Sequence, residues 1–349
     1  MKRVAFIGHT FHNRTRSSAF FTDFLGDVFD EIDRFDYDPE DPDKFDYSRL
    51  LSQSYSHMVF WQTESILAKI KQVTRSRNII IPMYDGAIQR PPEYWQAFST
   101  DIFVSFSTTL HRILQTAGCD SVLVQYWPEP AGKAVPTADP LSAFFWERRP
   151  GSDYDARSVL ATCAKLDITH LHIHLAADYN RDQTQRERAI TDIHAAAGYD
   201  MTLSFSEWFD TVADFKSEIH RHPVYFAPRV LEGIGMSFLE AMAHGQVVIG
   251  PNKPTLNEYI ADGANGYLLR PDGTISRRQD QFQPTLADVS SRTLDSVVQG
   301  RRRWVQDVDR LKQILVSDSV GFHTDAGQNF ERQTRLAAGR RHQAAASGT

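Results

Sequence analysis

The sequence predicts an α/β protein made of two doubly wound parallel-sheet domains. Three observations carry this expectation. The chain's 349 residues exceed what one ordinary core accommodates. Short apolar, strand-like runs alternate with amphipathic helical segments. That alternation is interrupted by one proline-rich stretch and then restarts.

In the first third, "RVAFIG", "HMVFW", "NIIIPMYD", "IFVSFS" and "SVLVQYWP" are rich in Val, Ile and Phe and end near Gly, Pro or a polar residue, as strands do. "TESILAKIKQVTRS" and "TTLHRILQTAG" between them are amphipathic, and strand–helix–strand repetition implies a parallel sheet covered on both faces. The acidic stretch "DVFDEIDRFDYDPEDPDKFDY", residues 27–47, reads as a solvated helix end and loop. "WPEPAGKAVPTADP", residues 127–140, holds four prolines and reads as a linker. Beyond it "LSAFFWE", "THLHIHLAA", "MTLSF", "PVYFAP", "QVVIG" and "GYLLR" supply a second set of strands. From about residue 275 the pattern turns helical and basic, and "LAAGRRHQAAASGT" is a small-residue tail expected to lack structure. The expected domains are 1–135 and 136–320, with a terminal helix and tail over 321–349.

Composition narrows the function classes. Hydrophobic residues make up 41 % and charged residues 23 %, as in soluble globular proteins, and the net charge of −6 gives no drive toward nucleic acid. No apolar run has bilayer-spanning length, and the apolar part of "MKRVAFIGHT" is too short for a signal peptide. Cys119 and Cys163 stand far apart, which excludes a disulfide framework and fits a reducing cytoplasm. A cytoplasmic protein is expected, with any membrane contact made from the surface; "GRRRW", residues 300–304, is the candidate for that contact, set against an ordinary solvated helix face.

The informative unit is "LEGIGMSFLEAMAHGQVVIG", residues 231–250. A strand ends in "PVYFAP", a loop follows, and Gly233 and Gly235 allow backbone N–H groups to approach a ligand closely. "MSFLEAMAH" then forms a helix stopped by Gly245, and its free N-terminal N–H groups make an anion site suited to phosphate. Glu240, about one turn in, suits a ribose diol, and Glu232 on the loop suits hydroxyls of a second sugar. Neither a glutamate pair nor a Gly-x-Gly is specific alone; their combination is.

Together with Pro228, "VVI" at 247–249 and "NEYIADGANGYLL" at 257–269, this unit resembles the retaining, nucleotide-sugar-dependent glycosyltransferases of GT-B fold (the group 1, or family 4-like, enzymes). The resemblance implies two Rossmann-like domains facing across a cleft. It implies that Glu232 contacts the donor sugar, that Gly233, Ile234, Gly235, Met236 and Ser237 line sugar and diphosphate, and that Glu240 holds the ribose. The family's diphosphate clamp, an arginine followed by a lysine, is matched by Arg148 and Arg149 in "FFWERRPGSDYD" with no lysine after them; Arg229 stands where a small residue is usual. Base recognition would fall on Ser206 and Glu207. The implied reaction is retaining and metal-independent, with no cofactor beyond the nucleoside-diphosphate sugar. A glycan, lipid-linked or small-molecule acceptor is expected, in bacterial polysaccharide or glycolipid assembly. A GT-B-shaped nucleotide-sugar epimerase and a non-catalytic partner subunit are the alternatives. A dehydrogenase is set aside because "FIGHTFHN" lacks Gly-x-Gly-x-x-Gly.

Ligands of such sheets sit at the carboxyl ends of strands. His9, Thr10, His12 and Asn13 after the first strand, and Tyr84 and Asp85 after "NIIIPM", are therefore acceptor-side candidates, although Ser17 and Ser18 equally suit a helix cap there. His170, His172 and His174 share one strand face at a spacing of about 6–7 Å. That is wide for three ligands with bonds near ~2 Å, so they read as a satisfied polar face under a helix, and no metal is expected.

Overall fold

The computed structural model describes residues 2–135, 141–149, 152, 154–176 and 182–317. Two compact units result, Met1–Lys312 and Gln313–Thr349. The first unit holds both sheets. The described part of the second is the end of the last helix and Ser317. The tail expected beyond 320 lies outside the described residues.

The first sheet comprises β1 (Arg3–His9), β2 (Glu31–Tyr37), β3 (His57–Trp61), β4 (Arg77–Ile81), β5 (Ile102–Ser105) and β6 (Asp120–Leu123). Its helices are α1 (Thr10–Thr15), α2 (Ala19–Gly26), α3 (Tyr47–Leu51), α4 (Glu64–Ile70), α5 (Tyr84–Ala87), α6 (Pro92–Gln96) and α7 (Thr108–Thr116). The strand order is β2-β1-β3-β4-β5-β6, with every pairing parallel. Winding reverses between β1 and β3, and the crevice at the carboxyl ends of such a reversal is where sheets of this kind bind ligands. The second sheet comprises β7 (Ser142–Trp146), β8 (His170–His174), β9 (Thr202–Ser206), β10 (Val224–Phe226), β11 (Val247–Pro251) and β12 (Tyr267–Leu269). It is flanked by α8 (Ala156–Lys165), α9 (Gln183–Ala197), α10 (Val212–His220), α11 (Met236–Ala243) and α12 (Gln279–Val316). The order β12-β11-β10-β7-β8-β9, again all parallel, reverses between β7 and β10. The loops after β7 and β10 thus open onto one crevice.

The structure corrects the reading of the acidic stretch. Glu31–Tyr37 is strand β2, paired with β1 over its whole length. Its Phe35 is buried among Phe45 and Tyr55, and its Asp33 is held by Arg3 Nη2 at 2.7 Å and by the Tyr55 hydroxyl at 2.6 Å. The acids mask the strand pattern because β2 is an edge, where charge discourages pairing with another chain.

The proline-rich stretch is pinned, not free. Ala131 and Gly132 N–H both donate to the Ala243 carbonyl, at 2.9 and 3.0 Å, closing the C-terminus of α11. A Cβ on Gly132 would lie 2.5 Å from the His244 carbonyl oxygen. Gly300 of α12 leaves room for the Trp127 ring, and Arg301 donates to the Trp127 carbonyl and pairs with Glu129. Within "GRRRW", then, one arginine and the glycine serve this contact. No helix among the described residues is long and apolar enough to cross a membrane.

Candidate active site

The β10–α11 turn is built as its sequence requires. Gly235 caps α11 at φ +80°, and a Cβ there would overlap the Phe238 ring. Gly233 touches the first sheet's side of the crevice: a Cβ on it would lie 2.9 Å from Met83 Cβ and 3.2 Å from Asp85 Oδ1. Thr255 donates to the Glu232 carbonyl at 2.7 Å and fixes the loop from behind. Met236 and Ser237 open the helix, so its free N–H groups face the crevice between β7 and β10.

Glu232 is buried, at 4 % exposure, with its carboxylate 3.5 Å from Arg229. Arg229 also pairs with Asp85 at 2.8 Å, linking the loop after β10 to α5 after β4. His12 feels the Asp85 charge as well, yet burial and the neighbouring His9 lower its pKa to about 4, so it is neutral at neutral pH. His9 Nε2 lies 2.8 Å from the Gln62 carbonyl, and His12 Nδ1 lies 2.6 Å from Ser17 Oγ. Ser17 is therefore a partner of His12 here; Thr10 and Asn13 are exposed on α1, and no side-chain cap closes that helix. Tyr84 is buried, and burial, with Glu258 nearby, raises its pKa. The fold thus gathers His12, Asp85, Arg229 and Glu232 from strand ends of both sheets.

Glu240 differs from every other carboxylate around this turn. It makes no hydrogen bond or ion pair with a described residue, and burial pushes its carboxyl above the usual range, against the pull of Lys216. Arg148 is half-buried after β7, stacked 4.9 Å over Trp146, and its charge reaches Tyr225 of β10. Arg149 is exposed. Ser206 is taken up elsewhere: its hydroxyl lies 2.8 Å from His172 Nε2 and 2.9 Å from His174 Nδ1. Ser204 Oγ similarly sits 2.8 Å from both His170 Nε2 and His172 Nδ1, so the three histidines form a ladder with the serines of β9. All three imidazoles thus have serine partners on the neighbouring strand. Glu207 is exposed.

Two carboxylates escaped sequence reasoning. Glu147, buried after β7, accepts from Arg186 Nε at 2.6 Å and from the Ala156 N–H at 3.0 Å, tying α9 and the start of α8 to the Arg148 segment. Glu258 accepts from the Ser107 hydroxyl at 2.8 Å and from the Thr108 and Thr109 N–H groups at 2.7 and 2.9 Å. A carboxylate beside the second sheet thus caps α7 of the first. No local pattern signals either pairing, since the partners lie 39 and about 150 residues away.

Residues 143–280, the stretch that contains this turn, match the family described as "Glycosyl transferases group 1". Over those residues the chain is similar to a group 1 glycosyltransferase domain. The glycosyltransferase fold extends beyond that segment. HepE from Anabaena, solved with UDP and glucose, superposes at TM-score 0.62 and 12 % identity over 90 % of this chain and all of its own. Sucrose-phosphate synthase from Thermosynechococcus elongatus gives 0.59 at 16 % identity, over 90 % and 98 % of the two chains. The lipopolysaccharide outer core galactosyltransferase WaaB gives 0.60 at 15 %, over 88 % and 98 %. These likenesses establish the GT-B architecture of two Rossmann-like domains expected from the sequence. No curated protein sequence matches the chain.

Proposed function

We propose that this protein is a retaining glycosyltransferase that moves a sugar from a nucleoside diphosphate to a glycan, lipid-linked or small-molecule acceptor, with no metal in the transfer step. The observation that carries the reading is Glu240: a carboxylate held partly out of water without a partner, one turn inside the helix whose N-terminus faces the crevice. Burying such a group costs free energy unless a ligand completes it. A ribose diol supplies two donors. The diphosphate then falls at the α11 N-terminus, with Arg148 and Arg229 as the cations and Arg149 at the rim. Glu232 remains for the sugar, and His12 and Asp85 face the acceptor side. The UDP bound by HepE supports a nucleotide donor of this kind.

As the sugar–phosphate bond breaks, negative charge grows on the leaving oxygen, where Arg148 and the helix N-terminus stabilise it. That oxygen takes the acceptor's proton on the same face, which retains configuration without a dedicated base. Work on bacterial polysaccharide or glycolipid, at the inner face of a membrane, fits this chemistry. Thermal shift against a panel of nucleoside diphosphates and their sugars, with and without chelator, tests the reading. Selective stabilisation by one base, equal in size with chelator present, is expected; no shift at millimolar nucleotide refutes it.

A further inference from the structure

Away from the crevice, the same domain holds a cluster that the proposed transfer leaves unused. His172 of β8 and His222, in the turn between α10 and β10, are 5 % and 3 % exposed, and Glu218 projects from the last turn of α10 between them. His172 Nδ1 lies 3.5 Å and His222 Nε2 3.4 Å from the same oxygen, Glu218 Oε1. The three ligand atoms all fall within 4.8 Å of one another, and no other such trio occurs among the described residues.

Those distances decide between two uses of the cluster. A charge-assisted N–H···O bond closes to about 2.7–2.9 Å. A tetrahedral zinc with bonds of 2.0–2.1 Å sets its ligands about 3.3–3.4 Å apart. The His222 contact is a long hydrogen bond at 3.4 Å, and both contacts lie closer to the second separation than to the first. We propose that His172, Glu218 and His222 form a zinc site that clips α10 to β8 of the second sheet.

The surroundings suit this use. Outer partners orient the ligands, as metal sites require. Arg221 donates to Glu218 Oε2 at 2.8 Å, leaving Oε1 for the ion, and Ser206 Oγ holds His172 Nε2 at 2.8 Å. Ser204 Oγ sits beside His172 Nδ1 but has His170 Nε2 at 2.8 Å as a second partner, so Nδ1 can turn to metal without stranding the hydroxyl. The rings of His172 and His222 stack at 5.5 Å, and the His170 ring also lies 5.5 Å from that of His222. Three protein ligands leave a fourth position for water. Arg221, well exposed, marks the way in. The role is structural: His222 leads directly into β10, whose end carries the Glu232 loop, so the clip anchors the base of that loop. It does not depend on the donor reading.

The test uses the full chain without an affinity tag, stripped by chelator, then dialysed against micromolar zinc and assayed for metal. Co²⁺ titration provides a second readout through the visible absorption of tetrahedral cobalt. Wild type should retain a single equivalent and melt higher with zinc. Glu218→Gln and His222→Gln should bind at least about tenfold more weakly. Glu218→Gln, on the more open flank, should keep the wild-type circular dichroism and nucleotide response, which separates lost metal from lost fold. Wild type without zinc after dialysis, or variants retaining as much as wild type, would overturn the site.

Discussion

Glu240→Gln changes one atom of the side chain and separates two consequences of the same carboxylate. In the free protein the half-buried charge opposes folding, because burial raises its folded-state pKa above the ordinary value of 4.5. The folded state then binds more protons than the unfolded chain over that window, so this group's contribution falls as pH rises from 4.5 through the raised value. The glutamine variant lacks that loss and should be the more stable protein at pH 7 to 8, by chemical denaturation. Nucleotide binding should move the other way. A hydrogen bond to a charged group contributes about 1.5–3 kcal/mol and a neutral one about 0.5–1.5, so the substitution should cost about 1–1.5 kcal/mol, near tenfold in Kd. Glu240→Ala, which removes the acceptor altogether, should cost about 2–3 kcal/mol, some 30- to 150-fold. Calorimetric titration with the nucleoside diphosphate that gives the largest thermal shift measures both. Equal affinities for wild type and Glu240→Gln would refute the ribose assignment, and a less stable glutamine variant would refute the electrostatic one.

Further expectations concern the elements around that helix. Glu232→Ala should spare the bare nucleoside diphosphate yet weaken its sugar conjugate by about 1–3 kcal/mol, seen by titrating both ligands. Gly235→Ala sets a Cβ against the buried Phe238 at φ +80°, so about 2–4 kcal/mol of stability should be lost, read from the denaturation midpoint. Glu258→Ala strips the α7 N-terminus of its carboxylate cap and should cost about 1–2 kcal/mol of stability, with no change in nucleotide affinity. His12, with a folded pKa lowered to about 4, binds its proton more weakly than in the unfolded chain, so stability should drop as pH falls from 6.5 toward 4 and His12→Phe should flatten that slope.

What was legible in the sequence follows from how local each signal is. Eleven of the twelve strands coincide with apolar runs, because parallel strands buried on both faces are continuous in hydrophobicity. Strand β2 was hidden since charged residues fill most of its positions, and Phe35 is its one fully buried side chain. The glycine turn was legible because its backbone demands are met within one loop and helix: Gly235 needs a left-handed φ and Gly233 a close approach. The cations were not ranked by sequence. Arg148 and Arg149 are neighbours with identical chemistry, and only the stacking of Arg148 on Trp146 distinguishes the half-buried one. Asp85 stood out merely as a residue after a strand; its pairing with Arg229 spans 144 positions and no local pattern contains it.

The second sheet's surroundings use the same residue type for opposite ends, and partners tell them apart. Glu147 has the Arg186 guanidinium and a helix N–H, and Glu258 has three donors at the start of α7. Each is a completed network that fixes one element against another, so removing it costs stability and gains nothing. Glu240 has no such partner among the described residues, although it is half-buried. Under the proposed reading something with paired donors completes its carboxylate, and the helix N-terminus one turn away favours an anion beside those donors. A ligand carrying a diol next to a phosphate meets both demands at once, which is why Glu240 weighs more than the glycine turn in the proposed reading.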